Sequence, residues 1–142
     1  MAGEPIGAKQ LYKIPDNMQC YEKINSIEFL EINQADGNVR SVAYRPTVNG
    51  AQVRIKTCVQ DELTDSELTK KEAIDYIENI RNAGIFSWNY SYRPSQGTFV
   101  NVTTQFRLKI EFAEDNAKDF VSEGENVVPD TYDDIVKILL ML

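Results

Sequence analysis

Histidine is missing from the chain altogether. With it go the side chain whose ordinary titration lies nearest neutral pH, the usual base for a serine or cysteine nucleophile and the commonest nitrogen ligand for metals. Proton transfer near neutral pH would then need a strongly tuned carboxylate, lysine or cysteine. No spacing in the sequence displays one, so the chain reads as a protein without enzymatic activity. Cysteine is almost as scarce: Cys20 and Cys58 are too few for a disulfide framework. Without the basic-then-apolar pattern of a signal peptide they read as free thiols of a cytoplasmic protein. Long apolar runs are lacking as well. The longest, residues 138–142, is far too short to cross a bilayer, and no membrane association is expected. No phosphate loop or metal-ligand motif occurs, and Asp36-Gly37-Asn38 lacks the spaced acids and closing Glu of a calcium loop. Neither cofactor nor metal is expected.

What is present is a globular composition. The 142 residues suffice for one domain with a core of its own, and 42% hydrophobic with 26% charged residues is an ordinary balance. A net charge of -7 sets the mean surface against nucleic-acid phosphates, so no nucleic acid is expected as a partner. Residues 1–22, with Gly3, Pro5, Gly7 and Pro15 and no sustained period, read as an N-terminal arm, and residues 23–142 as a single domain.

Within that domain the periodicity changes several times. Ile27, Phe29 and Ile32 suggest a strand, residues 35–38 a turn, and residues 39–44 a second strand. Asn49-Gly50 suits a type I′ hairpin turn. Beyond it Ala51, Val53, Ile55, Thr57 and Val59 alternate with Gln52, Arg54, Lys56 and Cys58, giving a third strand with one face inward. Ala73, Ile77, Ile80 and Gly84, with Ile74 beside them, then follow a helical period. Thr69 with Glu72 would cap that helix, with Thr64 and Glu67 as the alternative; Arg81 and Gly84 mark its end. Phe86, Trp88, Tyr90 and Tyr92 read as a strand with one aromatic face. After a turn at residues 93–97, Val100, Val102, Phe106, Leu108, Ile110 and Phe112 make the longest strand, and a short one follows around residues 118–122. Pro129 and Asp130 open a last helix with Tyr132, Ile135, Val136, Leu139 and Leu142 as its core stripe. Ile138, Leu140 and Met141 widen that stripe almost to a full circle, which predicts burial on more than one side and a homodimer through this helix. The order predicted is β-β-β-α-β-β-β-α: an α+β fold whose antiparallel sheet carries two helices on one face.

The series Gly84-Ile85-Phe86-Ser87-Trp88, then Tyr92, then the strand from Phe106 to Phe112, then Gly124-x-Asn126-x-x-Pro129 before an apolar helix resembles a group of short uncharacterised bacterial proteins. They share Gly-x-x-x-Trp followed by Tyr, an aromatic strand and Gly-x-Asn-x-x-Pro. The resemblance covers the last two-fifths of the chain and implies a fold rather than an activity. Some short bacterial proteins of this general kind look like immunity partners of toxins.

Two charge patterns remain. Residues 111–134 hold Glu111, Glu114, Asp115, Asp119, Glu123, Glu125, Asp130, Asp133 and Asp134 against one base, Lys118. Part of this is local: acids in the first turn of a helix are favoured by its dipole. Read functionally, Glu114, Asp115, Asp119, Glu123, Glu125 and Asp133 would form an acidic surface masking a basic protein partner, as an inhibitor or immunity-type protein does. The second pattern is an outward row of Arg54, Lys56, Arg107 and Lys109 with Arg45 and Arg93 near it. Cross-strand pairing with Glu28, Glu31 and Glu111 would explain it. The alternative is a site for an anionic metabolite or nucleotide built from Arg45, Arg54, Arg93 and Arg107, with Trp88 and Tyr92 as stacking platforms.

Overall fold

A computed structural model of the chain describes residues 14–57, 62–94, 104–115 and 117–142. Residues 1–13 of the predicted arm, Cys58 and Val59, the end of the turn through Gly97, and Val100 and Val102 lie outside the described residues. The fold is α+β. Strands β1 (Ile24–Asn33), β2 (Asn38–Thr47), β3 (Gly50–Thr57) and β4 (Glu62–Thr69) precede helix α1 (Lys70–Asn82); β5 (Ser91–Tyr92), β6 (Thr104–Phe112) and β7 (Phe120–Glu125) precede helix α2 (Tyr132–Leu139). They form one seven-stranded sheet in the order β4-β3-β2-β1-β6-β7-β5, antiparallel except where β5 meets β7.

The register explains the core. Ile27 stands opposite both Tyr44 and Ile110, and Phe29 opposite both Val42 and Leu108. Val53 continues the first row and Phe120 extends it at the other side. All are buried, so side-chain alternation turns one whole face of the sheet inward. Tyr76 of α1 stacks on Tyr44 with ring centroids 5.7 Å apart. Tyr132 of α2 lies 6.1 Å from the Phe29 ring and 5.1 Å from that of Phe106. α1 begins at the expected capping box: Thr69 Oγ1 accepts from the Glu72 N–H at 3.2 Å, and Glu72 Oε1 accepts from the Thr69 N–H at 2.9 Å. It ends where Gly84 enters the left-handed region, at a φ of 97°.

Five expectations are corrected. A strand, β4, stands where residues 62–69 were read as the approach to a helix, making the order β-β-β-β-α-β-β-β-α. As an edge strand with Thr64 and Ser66 on its inward side it carries too little apolar alternation to announce itself. The β2–β3 hairpin turns at Val48-Asn49, with Gly50 already paired to Thr47. Gly50 is needed for another reason: a Cβ there would lie 1.9 Å from the Leu68 carbonyl oxygen of β4. The aromatic series after Gly84 is not a strand face. Ile85–Ser87 form a 3-10 turn, and Trp88 and Tyr92 both drop into the core while Tyr90 points outward. Within the predicted arm, Ile14 and Met18 are buried, Asp16–Met18 form a 3-10 turn, and a second one, Tyr21–Lys23, runs across the predicted boundary. Leu142 is 86% exposed rather than part of the α2 stripe, and Leu140 is buried instead. Among the described residues no helix is long and apolar enough to cross a membrane.

Candidate functional site

The second face of the sheet carries the site. Because the pairing is known, its side chains can be placed in rows running across the strands. One row is Asp65, Arg54, Ala43, Glu28 and Lys109; the next is Leu63, Lys56, Ser41, Leu30 and Arg107, ending at Glu123. In both rows the basic side chains stand on β3 and on β6, and between them the floor is Ala43 or Ser41 of β2 and Glu28 or Leu30 of β1. Long walls beside a short floor make a trough of about 470 Å³. Neighbouring strands lie about 4.8 Å apart, so the β3 and β6 backbones, three spacings from each other, stand roughly 14 Å apart.

The trough is cationic in an acidic protein. Arg45, Arg54, Lys56, Arg107 and Lys109 line it against one carboxylate, Glu28. Two of these bases are held from outside. Arg54 Nε donates to Asp65 at 2.8 Å and a second guanidinium nitrogen donates at 3.3 Å; that hydrogen bond holds the Asp65 carboxyl below its usual range. Lys109 Nζ lies 3.8 Å from Glu111 and 3.7 Å from Asp119. Arg45, Lys56 and Arg107 have no ion-pair partner among the described residues, and neither does Glu28. Apolar surface is exposed in the same place, Leu30 at 39% and Leu63 at 55%. A second hollow, of about 200 Å³, continues from Leu30 and Arg107 toward Gly124 and the Arg93–Glu125 pair, which closes at 2.6 Å.

The structure divides the residues picked from sequence. Arg45, Arg54 and Arg107 share the trough, and Arg93 flanks its extension. Trp88 and Tyr92 do not join them. Trp88 is 1% exposed; its ring stands edge-on to Phe106 and stacks on Tyr132, and its Nε1–H donates to Thr131 Oγ1 at 2.9 Å. The Tyr92 hydroxyl accepts from the Asn89 N–H at 2.7 Å. Both are core side chains, and neither is placed to stack on a ligand in the trough. The six acids are not gathered into one unopposed surface. Glu114 pairs with Lys23 at 2.6 Å, Asp119 approaches Lys109, Glu123 stands across from Arg107 in register and Glu125 holds Arg93. Asp115 is exposed in the connection between β6 and β7, whereas Asp133 is exposed in the first turn of α2, the helix that packs on the Phe29 side. Sequence reasoning found the outward bases but missed Ser41, Ala43 and Leu30 between them and Leu63 beyond Lys56, because a floor becomes visible only once the strand register is known.

A second polar group is structural. Tyr132 donates to Glu31 Oε2 at 2.6 Å, and Arg40 meets Glu31 Oε1 at 2.6 Å. Burial, and after it the hydrogen bond to Glu31, pushes the Tyr132 phenol above its usual value. The group ties α2 to β1 and β2 with every member paired. Among the described residues no cluster of acids and cysteine is placed to hold a metal ion. No family model matches the chain, and neither a curated protein nor a solved structure matches it.

Proposed function

We propose that this protein is a non-catalytic binding module that takes an anionic ligand on the open face of its sheet, in the trough between Arg54 and Lys56 on one side and Arg107 and Lys109 on the other. The observation that carries the reading is the charge of the lining. Five bases and one acid line the trough of a chain whose net charge is -7. Random scatter of a minority charge would not concentrate it over short, half-buried floor residues. The stacking of Tyr76 on Tyr44 and the ring contacts of Tyr132 with Phe29 and Phe106 support reading both helices onto the other face, so that neither helix covers this one. The acidic-surface reading, an inhibitor masking a basic protein, is weaker because Glu114, Asp119 and Glu125 already face bases of their own chain.

The test is an amide-resolved NMR titration with an oligoglutamate peptide and, separately, with tripolyphosphate. Perturbations should cluster at residues 41–45, 54–56 and 107–109, shrink as salt rises through the range where the screening length falls below about 10 Å, and disappear in the Arg54→Glu, Arg107→Glu double variant. Perturbations spread evenly over the surface, or unchanged by that variant, would overturn the proposal.

A further inference from the structure

The dimensions of the trough narrow the ligand, on the footing of the anion-binding reading above. The two basic rows are three strand spacings, roughly 14 Å, apart. One small anion cannot engage both at once without drawing the long side chains off their strands. An extended strand, one spacing wide, would reach only one row. An α-helix with its side chains is about 10–12 Å across, so a helix lying over β2 and β1 fits between them. Its underside would meet Ser41, Ala43 and Leu30, which are short or apolar, while its flanks would meet Arg54 and Lys56 on one side, with Leu63 of β4 beyond them, and Arg107 and Lys109 on the other.

Glu28 decides between kinds of polyanion. It stands in the floor between Ala43 and Lys109, exposed and without an ion-pair partner among the described residues. A nucleic-acid strand carries its phosphates at a fixed repeat and would bring negative charge over this carboxylate. Among the described residues Trp88, Tyr92 and Phe106 are buried in the core, so none of these three rings is offered on the open face for bases to stack on. A peptide helix can keep acids on its flanks and an apolar or basic side chain underneath. We infer that the open sheet face docks an acidic amphipathic helix of a partner protein, apolar stripe down over β2 and β1 and carboxylates against the bases of β3 and β6.

The experiment uses the whole chain and three probes: a synthetic peptide of about four turns with leucines at helical spacing and glutamates on both flanks, a scrambled peptide of the same composition, and oligothymidylate. The amphipathic peptide should bind roughly tenfold or more tightly than its scramble, gain helical circular dichroism on binding, and lose that advantage in Leu30→Ser, whose own fold is checked by the same spectrum. Equal affinity for the two peptides overturns the helix inference and leaves the anion-binding reading standing. Tighter binding of oligothymidylate overturns it in favour of nucleic acid. Failure of every acidic probe, oligoglutamate included, brings down the anion-binding reading itself.

Discussion

Two stacked tyrosines should respond in opposite directions to the same chemical change. Tyr44 is fully buried, yet its hydroxyl has no hydrogen-bond partner among the described residues, and burial pushes its phenol above the usual value. Tyr76, stacked on it at an interplanar angle of 10°, donates to the Leu139 carbonyl at 2.8 Å. That carbonyl belongs to the last turn of α2, where the helix offers no internal donor. Tyr76→Phe therefore strands a buried acceptor and should cost about 1–3 kcal/mol. Tyr44→Phe removes a hydroxyl that lost its water without gaining a partner, and should be neutral or stabilising by about 1 kcal/mol. For a chain of this size 1 kcal/mol corresponds to roughly 3–4 °C in Tm. The two variants should thus differ by about 1–4 kcal/mol, read by urea unfolding with unchanged slope and by thermal melts. Because the rings touch, the double variant should depart from additivity. If Tyr44→Phe destabilises as much as Tyr76→Phe, the Tyr44 hydroxyl has a partner and the reasoning fails.

Further outcomes follow from single contacts. Gly124→Ala should cost about 1–3 kcal/mol, because a Cβ there would lie 2.5 Å from both the Phe106 ring and the Val127 carbonyl oxygen; a melting temperature equal to the parent's would show that β7 can shift at no cost. Thr69→Ala should destabilise by about 1 kcal/mol through loss of the α1 cap, whereas Thr64→Ala, on an exposed strand position, should change stability by less than about 0.5 kcal/mol; the reverse ranking would place the helix start elsewhere. The Asp65 carboxyl, held low by Arg54, should titrate below the ordinary aspartate value by carboxyl-carbon NMR and return toward it in Arg54→Ala. A depressed folded value means that the pair's contribution is present above the ordinary carboxylate pKa and is lost as pH falls through the depressed one. An Asp65 that titrates identically in parent and variant would remove the pair.

Much of the fold could be read from local chemistry. The α1 boundaries are written in Thr69, Glu72 and Gly84, and the third and sixth strands in side-chain alternation, since each signal needs only near neighbours in sequence. β4 escaped because an edge strand needs no continuous apolar face, so residues 62–69 resemble a polar helix lead. Trp88 and Tyr92 misled for a related reason: alternate spacing implies one face only if the backbone stays extended, and Gly84 followed by a 3-10 turn breaks that condition. The site was half legible. Arg54, Lys56, Arg107 and Lys109 are visibly outward-facing, but Ser41 and Ala43 acquire meaning only when β2 is set between β3 and β1. That neighbourhood is a property of long-range pairing, which no local spacing encodes.

The most direct test of the open face as an anion site is the affinity of an oligoglutamate peptide for three forms of the protein, measured by titration at low salt. The parent should bind, Lys56→Glu with Arg107→Glu should bind at least roughly tenfold more weakly, and Glu114→Lys with Asp115→Lys, away from the trough, should leave binding unchanged or strengthen it slightly through net charge. Equal affinity of the parent and the Lys56, Arg107 variant, or a basic peptide that binds the parent and is lost on reversing Glu114 and Asp115, would contradict the account and return the acidic surface to first place.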